Sequence, residues 1–241
     1  MALLIDNDIV HKLAQLDLLE QAKPLLQQKY GELQVLNTLR FKYCPPVQAR
    51  RNRVVRRFTQ EVVDRVQAFI DSEVVEIDCT VTDSALIDAM DQSDDGLDIG
   101  EMQLLQALID ADEACMFTGD KRFLKALVSS QGITQSHTDK LEQSFVCFEQ
   151  VMTFLIKKIG FEVVKQKYIE AKQSGLELDS ALRVCFGGSG TQAQETVVQN
   201  NLVSHVQTLR EDTERLLSTS EDWTPNPPQD IGGEEILETP L

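Results

Sequence analysis

Residues 113–120 read Glu-Ala-Cys-Met-Phe-Thr-Gly-Asp, and the fold turns on how they are read. The apolar run ends at Gly119 and is too short for an independent helix, so a buried strand is predicted. Met102, Leu105 and Ile109 recur at helical spacing before it, and a second helix is predicted after it, through Val128. Working outward, short apolar runs at 2–5, 74–77 and 144–148 read as further strands. Helices are predicted from Ile9, over 58–70, 84–90, 151–158, 161–172 and 178–185, and over 24–39 after Pro24. Pro45-Pro46 is expected to open an arginine-rich loop, and 91–96 a turn. Strands alternating with helices define an α/β domain with a mainly parallel sheet.

The chain has 241 residues and a net charge of −16, from 23 basic and 39 acidic side chains. With 42% apolar residues it can bury a core. No apolar run approaches the ~18 residues of a membrane span, and the first residues lack a basic leader, so a soluble cytoplasmic protein is expected. Cys44, Cys79, Cys115, Cys147 and Cys185 are odd in number and widely scattered, without a Cys-x-x-Cys pair. That argues against a disulfide framework and against zinc. Asp91-Gln-Ser-Asp-Asp-Gly96 begins like a calcium loop, but Met102 stands where its closing Glu belongs.

Charge is uneven. Arg40, Lys42, Arg50, Arg51, Arg53, Arg56 and Arg57 lie together with no acid among them, whereas 66–120 holds 15 acids and no Lys or Arg. A basic stretch can hold phosphates, although the two regions can equally be solvated faces that neutralise each other. Gly187-Gly-Ser-Gly190 lacks the lysine of a phosphate loop and reads as a linker. Val198, Leu202, Val206 and Leu209, then Leu216, form an apolar stripe suited either to the body or to a partner helix, including self-association. Residues 218–241, rich in Pro, Gly and acids, are expected to be a disordered acidic tail.

In an open parallel sheet, ligands collect beyond the carboxyl ends of the strands. Two predicted strands run into an acid there, Asp6 and Asp120, and Glu101 opens the helix leading to the second strand, with Asp98 three residues before it. Such carboxylates would repel one another strongly, which a divalent cation relieves; hard oxygen donors suit Mg²⁺ or Mn²⁺. Each of Asp6, Asp8, Asp98 and Asp120 also suits a helix N-cap.

Leu3-Leu-Ile-Asp6, Leu97-Asp-Ile-Gly-Glu101 and Thr118-Gly-Asp-Lys-Arg122 together resemble the PIN-domain ribonucleases over roughly residues 1–150. The resemblance implies a PIN-like three-layer α/β fold for that part, and the residue patterns beyond it add a helical C-terminal extension. Its domains would be a nuclease domain at 1–150, a packed helical extension at 151–186, a linker and amphipathic helix at 187–217, and the tail. It implies that Asp6, Asp98, Glu101 and Asp120 are catalytic, and that Asp6, Glu101 and Asp120 hold Mg²⁺ or Mn²⁺. Many family members carry a further acid, for which Glu61 and Asp64 are the candidates. The implied activity is metal-dependent phosphodiester hydrolysis by a ribonuclease, a toxin or an RNA-processing enzyme. RNA is the expected partner and DNA an open alternative. Arg50, Arg51, Arg53, Lys121 and Arg122 are candidate RNA contacts. The rival expectation is a catalytically silent PIN-like module that binds protein or RNA.

Overall fold

The computed structural model describes residues 1–92 and 97–223. In chain order the elements are β1 (Ala2–Ile5), α1 (Asn7–Gln15), α2 (Leu19–Tyr30), β2 (Glu32–Leu36), α3 (Thr38–Tyr43), α4 (Gln48–Phe58), α5 (Gln60–Ile70), β3 (Val75–Ile77), α6 (Ser84–Gln92) and α7 (Ile99–Asp110). Then come β4 (Ala114–Thr118), α8 (Lys121–Ser129), α9 (Gln131–Ser136), α10 (Thr138–Leu141), β5 (Phe145–Cys147), α11 (Phe148–Ile159), α12 (Phe161–Gln173), α13 (Ser180–Phe186) and α14 (Glu195–Thr213), with a 3₁₀ turn at Glu221–Trp223.

The sheet has the order β3-β2-β1-β4-β5 and every pairing is parallel. Side chains alternate across it, as the pleat requires. Leu3, Ile5, Leu33, Val35, Phe117 and Val146 face one core, shared with α1, α2, α5 and α11. Leu4, Met116, Phe145 and Cys147 face the other, shared with α6, α7, α8 and the end of α14. Helices therefore cover both faces, compatible with a three-layer fold. Among the described residues, no helix is long and apolar enough to cross a membrane.

The helix expected over 24–39 is corrected: α2 stops at Gly31, whose φ of 82° suits a residue without Cβ, and the chain turns into β2. The arginine-rich loop is corrected too, since Arg50, Arg51, Arg53, Arg56 and Arg57 lie on α4. None of its residues is fully buried, and only Val54, Val55 and Phe58 pack partly on the core, too few to mark the helix by periodicity. Asp91 and Gln92 end α6, and the rest of the turn expected at 91–96 lies outside the described residues.

The C-terminal part packs closely on the sheet. Tyr168 donates from its hydroxyl to the Gly187 carbonyl at 2.8 Å, which ties down the glycine-rich stretch. Val198, Leu202, Val206, Leu209 and Leu216 are all buried, with α14 lying against α8, α11 and α13. The stripe is thus used inside the fold, which removes the basis for self-association or partner binding through it. The tail expected from 218 starts later. Leu217 bridges to Phe145, Gln150 donates to the Ser218 carbonyl at 2.8 Å, and Trp223 is buried against Phe117, Tyr30 and Phe154. Residues 224–241 lie outside the described residues.

Candidate functional site

β1 and β4 are neighbours in register, Ile5 opposite Phe117, and both leave the sheet at the same edge. After β1 the chain enters α1 on one face; after β4 it enters α8 on the other. The divergence opens a crevice at the topological switch point, where open α/β sheets bind ligands. A cavity of about 540 Å³ lies there, lined by Asp6, Asn7, Asp8, Lys42, Asp98, Gly100, Glu101, Gly119, Asp120, Lys121, Arg122, Asp179 and Ser180.

The N-terminal ends of α1, α7, α8 and α13 all contribute to this lining. The N–H groups and dipoles at these ends favour negative charge, which helps six carboxyl groups share one cavity. Asp120 accepts from the backbone N–H of Arg122 at 2.7 Å and of Phe123 at 3.2 Å, capping α8. Asp98 caps α7 through Gly100 N–H at 2.7 Å, and Glu101 reaches back to Asp98 N–H at 3.4 Å. Capping and cavity lining therefore coincide in Asp98 and Asp120. Asp6 differs: it precedes α1 in extended conformation, makes no side-chain cap, and is fixed by its N–H to the Phe117 carbonyl at 2.9 Å.

Electrostatics separate the acids. Burial, followed by repulsion from Asp120 and Asp6, pushes Glu101 up to about 8. Burial and Asp8 push Asp6 up to about 6. Burial also acts to raise Asp120, but the Arg122 side chain and the backbone donors of Phe123 and Arg122 outweigh it and hold the group below its ordinary value. The cavity thus has two carboxyl groups whose negative charge is poorly compensated, the condition in which a cation gains most.

Asp8, Lys12 and Asp179 add a feature that the sequence reading missed. Lys12 Nζ lies 2.6 Å from Asp8 and 2.9 Å from Asp179, and 5.0 Å from the Phe148 ring centroid. Asp179 caps α13 through Ala181 N–H at 2.8 Å. Gly119 packs closely beside this pair: a Cβ there would meet the Asp8 carboxylate and come within 2.8 Å of Lys12 Nζ, so those side-chain ends would have to move. Asp8 follows Asp6 by two residues and was within reach of a sequence reading. Nothing local marks Asp179 as part of the cavity.

The structure brings Asp6, Asp98, Glu101, Asp120, Lys121 and Arg122 together. Lys121 is engaged by buried Glu149 at 2.5 Å, and Arg122 by Asp120 at 3.3 Å. Arg50, Arg51 and Arg53 do not line this cavity, and neither do Glu61 and Asp64 on α5. All-oxygen donors fit a hard divalent ion in kind. In spacing they are not closed: among the described residues, no group of three or more His, Cys, Asp or Glu is gathered to hold a metal ion. No family model, curated protein or solved structure matches the chain.

Proposed function

We propose that the chain is a Mg²⁺- or Mn²⁺-dependent ribonuclease of PIN-like kind. The observation that carries this reading is the placement of Asp6 and Asp120 at the ends of two adjacent parallel strands, with Glu101 buried beside them at the switch point. Asp6, Glu101 and Asp120 would hold the ion, drawing inward on a charge their surroundings leave uncompensated. A bound divalent ion supplies a nucleophilic water at neutral pH and neutralises a phosphodiester. The residues themselves orient and exclude. Asp98 positions Glu101 through the shared cap, and the four helix N-termini and Lys42 favour an anionic substrate at the mouth. RNA is the proposed substrate, with DNA the alternative. Five free cysteines suit a reducing compartment, which we take to be the cytoplasm.

The second reading, a catalytically silent module of the same kind that binds RNA or protein, draws on the engagement of Asp98 and Asp120 in helix caps. One experiment separates the two. Purified protein is incubated with single-stranded RNA in Mn²⁺, Mg²⁺ or EDTA, beside Asp6→Asn and Glu101→Gln variants checked for folding by circular dichroism. Metal-dependent cutting lost in both variants is the expected result. Wild type as inert as the variants, with no rise in melting temperature on adding Mn²⁺, would sink the nuclease reading.

A further inference from the structure

The sequence Gln48-Ala-Arg-Arg-Asn-Arg-Val-Val-Arg-Arg-Phe58 forms α4, whose Val54, Val55 and Phe58 pack toward the core while its other side chains are exposed. Gln48, Arg51, Asn52, Val55 and Arg56 follow the i, i+3, i+4, i+7, i+8 spacing that normally carries apolar residues toward a neighbouring helix. Here four of the five are polar or charged. Instead of closing on α5, they line an open cavity of about 410 Å³, completed by Gln60, Val63 and Gln67 of α5 and by Tyr43 and Cys44.

The donors are set for an anion. Arg51 is anchored by its Nε to the Pro45 carbonyl at 2.9 Å, which fixes its guanidinium in place. Among the described residues neither Arg51 nor Arg56 has a carboxylate partner, although the chain is strongly acidic. Two such guanidinium groups lining one cavity supply donors suited to phosphate oxygens. Val55, Val63 and Cys44 supply an apolar wall beside them. Gln48 donates to the Asn52 carbonyl oxygen at 3.0 Å, which leaves the Asn52 amide nitrogen as donor and the Gln48 carbonyl oxygen as acceptor. Phosphate donors, flat apolar wall and paired amide groups match the three parts of a nucleotide.

We propose that the cavity between α4 and α5 binds a nucleoside phosphate, with the phosphate on Arg51 and Arg56 and the base against Val55 and Val63. The source is either a free nucleotide or one unit of a single strand. A strand is geometrically served, because Lys42 lines the acid cavity while the next residues, Tyr43 and Cys44, line this one. The site is separate from the acid cluster and needs neither a metal ion nor cleavage.

Cys44 provides the readout. Its thiol lines the cavity, whereas half-buried Cys79 does not and serves as an internal reference. The full chain is alkylated with a maleimide in EDTA at mildly alkaline pH, and each cysteine's labelling is followed by mass spectrometry. The additions are 5′-AMP, 5′-UMP, an oligouridylate or inorganic phosphate. With a nucleotide at about ten times its Kd, Cys44 labelling is expected to slow about tenfold while Cys79 is unchanged, since only unliganded protein reacts. Arg51→Gln and Arg56→Gln, both at exposed positions of α4, should abolish protection while the circular dichroism is retained. Protection by mononucleotide and oligomer assigns the site to either source; protection by the oligomer alone assigns it to a strand. Unchanged labelling with every nucleotide, protection surviving both Arg variants, or equal protection by inorganic phosphate would each overturn the proposal. Because EDTA is present throughout, loss of the nuclease reading would leave this outcome untouched.

Discussion

Lys12 on α1 and Asp179 at the head of α13 form an ion pair of 2.9 Å, with side chains only 14% and 16% exposed. Lys12 also holds Asp8, so one ammonium neutralises two of the six acids of the cavity. The two flanking carboxylates raise the Lys12 pKa despite the opposing effect of burial, and Lys12 in turn keeps Asp179 low despite its own burial. Lys12→Met would leave both acids without their cation. A loss of ~3–5 kcal/mol in stability is expected in EDTA, the usual consequence of removing one partner of a buried pair. Denaturant titration checks this. Mn²⁺ should then raise the melting temperature of the variant more than that of wild type.

Glu101 predicts a pH profile. Below about 4.5 its carboxyl is neutral in both folded and unfolded chains. Between there and about 8 the unfolded state ionises first, so unfolding releases a proton and stability falls as pH rises. Asp6 acts in the same direction from 3.8 to about 6. Glu101→Gln should therefore abolish the decline between pH 6 and 8 while leaving the lower part. Melting temperatures across this range in EDTA are the measurement, and a slope unchanged above pH 6 would contradict the assignment.

Gly119, just after β4, lies against the Asp8–Lys12 pair. Gly119→Ala should displace the Asp8–Lys12 pair at a cost of about 1 kcal/mol or less, because only two side-chain ends must move. Loss of the 2.6 Å Asp8–Lys12 contact in a crystal structure of the variant would show the displacement directly.

Trp223 is 1% exposed, with its ring 5.2 Å from Phe117 and 4.9 Å from Phe154. Trp223→Ala should destabilise by ~3–5 kcal/mol, as removal of a large buried aromatic does. Urea midpoints compare it with wild type. Trp223→Phe should recover most of the loss.

Much of this architecture was legible because the deciding strands are short apolar runs that end in polar residues. Ala2–Ile5 and Ala114–Thr118 are buried on both faces and could be little else. β2 was hidden: Leu33 and Leu36 continue the helical spacing of α2, and only Gly31 marks the break. α4 was hidden for the opposite reason, since only Val54, Val55 and Phe58 pack partly on the core and five arginines surround them. The four predicted acids meet in one cavity because a parallel sheet sends successive strand ends to the same edge. Asp179 escaped notice because it enters that cavity through tertiary packing of α13 and not through any local pattern. Trp223 was obscured by the Pro-rich, acidic composition around it.

The contacts of Trp223 also order events during synthesis. Phe117 belongs to the strand that carries the chain to Asp120, yet one of its walls comes from a residue made more than a hundred positions later. A nascent chain can pair β1 with β4 early, but it cannot finish that side of the core until residue 223 has cleared the ribosome. The core on that face of β4 is therefore completed only after translation has passed that point.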